Sequence, residues 1–313
     1  MMTALRLFVV VFAVMAVVGF SAAEEKSTLE NQFIKLWVTD GDGGYKIPKK
    51  PEYNKLRERL MTRAVLERYA SFLSPLNLPT TLWLYAAECP EGLSPHYNLN
   101  NHAIVMCYEW LEVTETQADR FTEIAAKYPK VLPLNISREE AVDGQYVSVL
   151  LHETGHALHD LLNVPVFGRA EDAADQTAAF IALQFGTETA RTIIKGFASL
   201  FMLHHNPPTK VSKPNYSKDD DRECRRDPIC NYADEHGTAG QRLYNVLCIA
   251  YGGNRAGFQD FVDLGWLPPE RAKTCEAEYE RVKFAFAKTV YPFINQTKMK
   301  KVQAMKWLGP GTR

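Results

Sequence analysis

The sequence contains no C-x-x-C pair. Structural zinc sites built from cysteine draw on such closely spaced pairs, so that class of site is set aside. Net charge is almost absent as well: 36 Lys and Arg stand against 37 Asp and Glu, a formal −1. A general nucleic-acid binder needs an excess of cations to displace counterions from phosphates, and this balance excludes one. After Phe20 no stretch is apolar over the length of a membrane span. No internal repeat divides the chain.

What is present begins with an apolar N-terminus. Arg6 precedes an unbroken apolar run, Leu7 to Phe20, and Ser21-Ala22-Ala23 supplies small residues after it. This three-part pattern reads as a secretory signal over 1–23, cleaved after Ala23. Fourteen apolar residues are short for an uncleaved anchor. The mature chain is therefore expected to be soluble, off the membrane, and secreted or periplasmic. An apolar share of 46%, with 14 Tyr and 16 Phe, suits a packed core.

Six cysteines, Cys89, Cys107, Cys224, Cys230, Cys248 and Cys275, would meet an oxidising compartment, where disulfides are the default. The order of preference is Cys248–Cys275, then Cys89–Cys107, then Cys224–Cys230. Sequons occur at Asn135, Asn215 and Asn295.

Along the chain, 24–50 is a polar lead-in with room for one strand. Leu56, Leu60, Ala64, Leu66 and Tyr69 follow helical spacing within one stretch, 53–76. "TTLWLYAAEC" and "AIVMCYEW" are strand-like, and the strand near Ala103 to Cys107 is a candidate sheet edge for an extended peptide. A helix follows to Pro129. The central helix starts at Ser137, with Glu140 three residues on as a capping box. Further helices open at "RAEDAADQ", "TETARTII", "ADEHGTAGQR" and "EAEYERVK". "LGWLPPERAKTC" reads as a connection, 204–231 as a polar loop insertion, and 293–313 as a basic, solvated tail. The result is an α+β fold, a small sheet with many helices, whose main domain spans 51–292.

The chemistry concentrates in "LLHETGHALHDLLNVPVFGRAEDAADQ". His152 and His156 are four apart on a helix and share a face, so both can bind one metal ion. Zinc takes such nitrogens and, in catalytic sites, three protein ligands with one position left for water. Glu153 lies beside that face as a general base for the water. Two histidines and a glutamate inside an apolar helix need partners, and an ion would supply one. The alternative is a helix whose polar face is simply exposed.

The third ligand is expected on the next helix. Glu171 and Asp175 share a face at i and i+4. Glu171 is the expected ligand, and Asp175 would accept a proton from the far nitrogen of a ligand histidine. Asp175 is also the rival for the ligand's place. Asp172 suits the helix N-terminus, and His159 lies a turn too far along to reach the ion. For an oxyanion donor, His236 is the best candidate in the C-terminal half and Tyr232 the next. Alternatively, Asp234, Glu235 and His236 cap the helix that follows.

"HETGH" followed by "EDAAD" resembles the gluzincin branch of zinc peptidases, which pairs H-E-x-x-H with a glutamate and an aspartate four residues later. The interval from His156 to Glu171 is shorter than in the thermolysin group. No G-x-x-H follows His156, so the metzincin pattern is absent. "CYEW", the H-E-x-x-H stretch and "YADEHGTAGQRLYNVLCIAYG" together resemble, over 80–280, a family of secreted, mostly bacterial proteins. That family carries a domain-of-unknown-function label and is assigned to the metallopeptidases mainly through the same motif. The resemblance implies a zincin-like fold, bound Zn2+ and hydrolysis of peptide or protein substrates, a zinc metalloendopeptidase. A zincin-fold zinc-binding protein without turnover is the alternative, and a metal-free, disulfide-rich structural protein is a third.

The even cysteine count predicts complete pairing. Denatured, unreduced mature protein should react with no thiol reagent, and peptide mapping should recover the three pairs named above. One or more free thiols per chain would contradict this.

Overall fold

Exposure alternates along Leu82–Ala87, with Leu82, Leu84 and Ala86 fully buried, as a strand with one face on the core requires. This strand, β2, lies in a four-stranded sheet with β1 (Ile34–Leu36), β3 (His96–Asn98) and β4 (Ala103–Cys107), in the order β1-β2-β4-β3. The computed structural model describes residues 31–36, 44–90, 94–127, 136–204 and 235–305. β1 and β4 run parallel to β2, and β3 runs antiparallel to β4, with Tyr97 opposite Ile104.

β4 is buried at every position because it has a strand on each side. The sheet edges are therefore β1 and β3 and not, as the sequence suggested, Ala103–Cys107. "YEW" is not strand either: α3 (Tyr108–Lys127) begins directly after Cys107.

Ten α-helices surround the sheet among the described residues, so the expected α+β, zincin-like architecture is present. The stretch expected as one helix over 53–76 is two, α1 (Asn54–Thr62) and α2 (Val65–Phe72). Ala64 between them takes a left-handed backbone, φ 48°. No side chain caps α2 locally. A distant hydroxyl does so instead: Tyr45 Oη accepts from Leu66 N at 2.9 Å and donates to Glu67. Helical spacing continued across the break, but this cap came from elsewhere in the chain.

The central helix α4 (Arg138–Leu161) starts as expected, on a reciprocal box between Ser137 and Glu140. Most of its surface is buried, against α3, α5 (Ala170–Leu183), α6 (Thr187–His204) and the sheet. α4 and α6 touch backbone to backbone at Gly144 and Gly196: a methyl group on either would run into main-chain atoms of the other helix. α7 (Ala239–Gly253) packs on α5 and α6, and α8 (Arg255–Asp263) follows it.

Two further segments differ from expectation. The expected connection "PERAKTC" is the first part of α9 (Pro269–Thr289), where Pro269 sits in the first turn, the position at which proline costs a helix nothing. The basic C-terminal segment contains α10 (Gln296–Ala304), which Asn295 caps and whose Val302 enters the core. Its Lys300 and Lys301 are exposed, so charge alone could not reveal the packed side.

Cys89–Cys107 and Cys248–Cys275 are disulfides. Cys224 and Cys230 lie outside the described residues, as do the expected signal segment, most of the 204–231 insertion, Asn135 and Asn215. No helix among the described residues is long and apolar enough to cross a membrane.

The close approach of α4 and α6 leads to a ranked prediction. Gly144→Ala and Gly196→Ala should each cost about 1–3 kcal/mol or more, because the obstruction is backbone and cannot swing aside. Ser137→Ala should cost about 1 kcal/mol, the loss of a helix cap. Denaturant midpoints would measure both, and a glycine variant milder than the cap variant would contradict the packing.

Candidate metal centre

His152, Glu153 and His156 lie on α4, Glu171 and Asp175 on α5. The two helices can bring these side chains together because Gly155 stands between them. A Cβ at Gly155 would come within 2.9 Å of the Ala174 Cα, closer than real side chains approach. The glycine is thus a requirement of the site's width, and reading H-E-x-x-H for its polar residues alone passes over it.

Three residues converge through four donor atoms. His152 Nε2 and His156 Nε2 are 3.1 Å apart. Glu171 Oε2 is 3.0 Å from His152 Nε2, and Glu171 Oε1 is 3.2 Å from His156 Nε2. Ligands about 2.0–2.1 Å from a tetrahedral zinc ion lie about 3.3 Å from one another. The two nitrogens, and the carboxylate that turns one oxygen toward each, lie at about the separations such an ion requires.

The tautomer agrees. Asp175 Oδ1 lies 2.8 Å from His152 Nδ1 and, as a carboxylate, can only accept there. In the neutral imidazole the proton on Nδ1 leaves a lone pair on Nε2, which would face the lone pairs of Glu171 and of His156. Lone pairs this close need a proton or a metal cation among them, and without a metal Nε2 holds a proton for Glu171. Burial opposes a charge on His152, yet hydrogen bonds to Asp175 and Glu171 outweigh it and push the imidazole up to about 9. His152, His156 and Glu171 form a group able to hold a metal ion.

Charge balance points to a divalent ion. Glu153, Glu171 and Asp175 are buried carboxylates. The cation set against them is Arg242 on α7, which grips Asp175 with Nε at 2.6 Å and a terminal nitrogen at 2.8 Å. With His152 neutral, as a metal ligand must be, three negative charges face one arginine, and a divalent ion would offset the remaining two. Buried charges left without such compensation are strongly destabilising.

Burial opposes ionisation of Asp175, but Arg242 and His152 together hold its carboxyl below the usual range. Burial likewise opposes ionisation of Glu171, and both histidines hold it down. Burial raises the Glu153 carboxyl, while the neighbouring histidines and a hydrogen bond from the Tyr97 backbone amide pull the other way. Glu153 is therefore poised to take a proton more readily than an ordinary glutamate.

His236, half exposed, lies with Nε2 3.0 Å from Glu171 Oε2. It does not cap α7: Thr238 does, in a reciprocal box with Gln241. α7 and the turn before it thus deliver two residues to α5, His236 from the turn to Glu171 and Arg242 from the helix to Asp175. Tyr232 and Asp234 lie outside the described residues. His159 points elsewhere, its Nε2 on Thr177 Oγ1 at 3.1 Å, and burial with the neighbouring histidines lowers it to about 4.

Sequence reasoning missed Arg242, though it lies six residues after His236. The available signal was chemical: an aspartate buried behind a ligand histidine needs a second cation.

A buried, metal-compatible group on H-E-x-x-H within an α+β, zincin-like fold defines the class of metallopeptidases. Residues 45–289 match the family described as "Putative metallopeptidase", and the chain belongs to that family. Nothing among curated proteins or solved structures matches the chain significantly.

Arg242→Ala would leave the buried Asp175 with His152 as its remaining partner, so it should destabilise the fold by about 3 kcal/mol and weaken metal binding. Denaturant unfolding and metal titration measure the two effects. A loss under about 1 kcal/mol with unchanged metal affinity would show that Asp175 does not depend on Arg242.

Proposed function

We propose that the chain is a secreted zinc metallopeptidase that cleaves internal peptide bonds. The convergence of His152 and His156 with Glu171, on the helix that also carries Glu153, supports this reading most strongly. Two nitrogen donors and one carboxylate are a common catalytic zinc set. Two disulfides suit an oxidising, extracytoplasmic compartment.

A zinc ion held by these ligands supplies Lewis acidity toward the scissile carbonyl and the attacking water. Glu153 accepts the water's proton and later gives it to the leaving amine. Asp175 keeps His152 in the tautomer that presents Nε2 to the ion, and Arg242 keeps Asp175 charged. His236, on the open side of Glu171, donates to the oxyanion as it develops. The substrate strand lies along the outer edge of β3, next to Glu153.

Glu153→Gln tests the central role, because the amide is nearly isosteric and takes no proton. The variant should bind zinc like the wild type and lose hydrolysis of a peptide library by at least about 100-fold, the usual scale of general acid–base catalysis. Turnover within a few-fold of wild type would remove Glu153 from the mechanism. His152→Ala, His156→Ala and Glu171→Ala should each lower zinc occupancy sharply. If Asp175→Ala loses zinc while Glu171→Ala does not, the third ligand is Asp175. A wild type that holds zinc and cleaves nothing would favour the zinc-binding protein without turnover.

The pH dependence follows from the raised Glu153 carboxyl. As pH falls, protonation should remove the base first, above the ordinary carboxylate range, while zinc stays bound. Zinc release that precedes or accompanies the loss of turnover would contradict this order.

A further inference from the structure

One cluster of polar side chains lies outside the metal centre and has no part in the chemistry above. Tyr97 on the edge strand β3 donates its hydroxyl proton to Asp160 Oδ2 at 2.7 Å. His102 Nδ1 lies 3.0 Å from the same hydroxyl and 3.4 Å from Asp160 Oδ2. His102 takes a left-handed backbone, φ 51°, at the end of the β3–β4 turn, and its carbonyl still accepts from Trp83 N. A non-glycine residue there is held against its own preference by about 1–2 kcal/mol.

Asp160 is seven residues after Glu153 on α4, so the two share a helix face about 10 Å apart along the axis. Tyr97 meets both. β3 packs along α4, with the Tyr97 backbone near Glu153, and the Tyr97 hydroxyl reaches Asp160. β3 pairs with β4 on one side only, and its three residues give it little pairing of its own.

We infer that the Tyr97–Asp160–His102 clasp sets the position of the edge strand along the active-site helix, and that Tyr97 is a positioning residue for extended peptide substrates. One attachment would let β3 slide or pivot against α4. The hydroxyl clasp, two helical turns from Glu153, adds a second hold to the packing of β3 on α4 and opposes both movements. The peptide groups of β3 that face outward are then held in register with Glu153, and a substrate strand pairing with them presents its scissile bond at the base. This rests on the peptidase reading above and adds the device that aligns the substrate.

The test uses Tyr97→Phe, Asp160→Asn and the double variant of the full mature chain, loaded with zinc. Tyr97→Phe keeps the ring and loses only the hydroxyl. Zinc content should be unchanged. KM for peptides long enough to run along β3 should rise about five- to tenfold, the scale of one hydrogen bond to a charged acceptor in a half-exposed setting. A short reporter that makes no strand pairing should change less than about twofold. The double variant should be no worse than the worse single one, because both changes break the same contact. Equal losses on long and short substrates, or additive losses, would overturn the clasp as an aligning device.

Amide exchange gives a readout that needs no turnover. Tyr97→Phe should speed exchange at residues 96–98 and leave residues 82–87 as in wild type. Unchanged exchange at 96–98 would overturn the proposal even in an active enzyme. Absent peptide cleavage by the wild type, with exchange altered as expected, would instead count against the peptidase reading and leave the clasp standing.

Discussion

The buried carboxylate of Asp175 is the interaction on which the rest of the site depends. It is fully buried and shares its two oxygens between His152 on α4 and Arg242 on α7. A single charge thus ties together three helices and, through His152, fixes which nitrogen is presented to Glu171 and His156. Remove the cation and the carboxylate would protonate. The imidazole would then be free to turn over, and the donor set would lose its shape. Burial makes this arrangement stiff: the same low dielectric that penalises each charge strengthens every hydrogen bond among them.

Such a cluster exists only if the helices stand close enough. Gly155 lets α5 approach the middle of α4, and Gly144 with Gly196 lets α6 approach its first half. These contacts surround α4 on several sides, which is why it is buried nearly all round and can carry five polar residues inward, Gln145, Ser148, His152, Glu153 and Thr154. The polar groups are compensated by one another, and the hydrophobic residues of the same helix, Leu150, Leu151 and Leu158 among them, seat it against the core. Packing and electrostatics therefore support each other here: closeness permits the charge network, and the network holds the helices at that distance.

The exposed side is organised differently. Glu153 meets β3 through the Tyr97 amide, and the same tyrosine reaches Asp160 further along the helix. The open flank of the site is thus a short strand clamped to the helix that bears the proposed base, while His236 approaches Glu171 from the segment before α7. Inside, the geometry is set by buried ions. On the open flank it is set by half-exposed hydrogen bonds, which are weaker and better suited to a surface that must admit and release a chain.

Much was legible from the order of residues. The capping box at Ser137, the spacing of His152 and His156, and the i to i+4 pairing of Glu171 with Asp175 are local properties, since helix periodicity turns sequence distance into spatial distance over a turn or two. The disulfides Cys89–Cys107 and Cys248–Cys275 were also anticipated and are present. What escaped was set by partners far away in the chain. The break at Ala64 is supported by Tyr45 from another segment, the edge of the sheet is decided by β3 pairing outside β4, and the packed side of α10 by a contact that its lysines conceal. Arg242 is 67 residues from Asp175, and no periodicity connects them. The sequence by itself determined which residues could face one ion, because that requires only one helix and its turn. Only the tertiary structure decided which cation, which glycine contacts and which strand edge complete the site, because each depends on where separate elements meet.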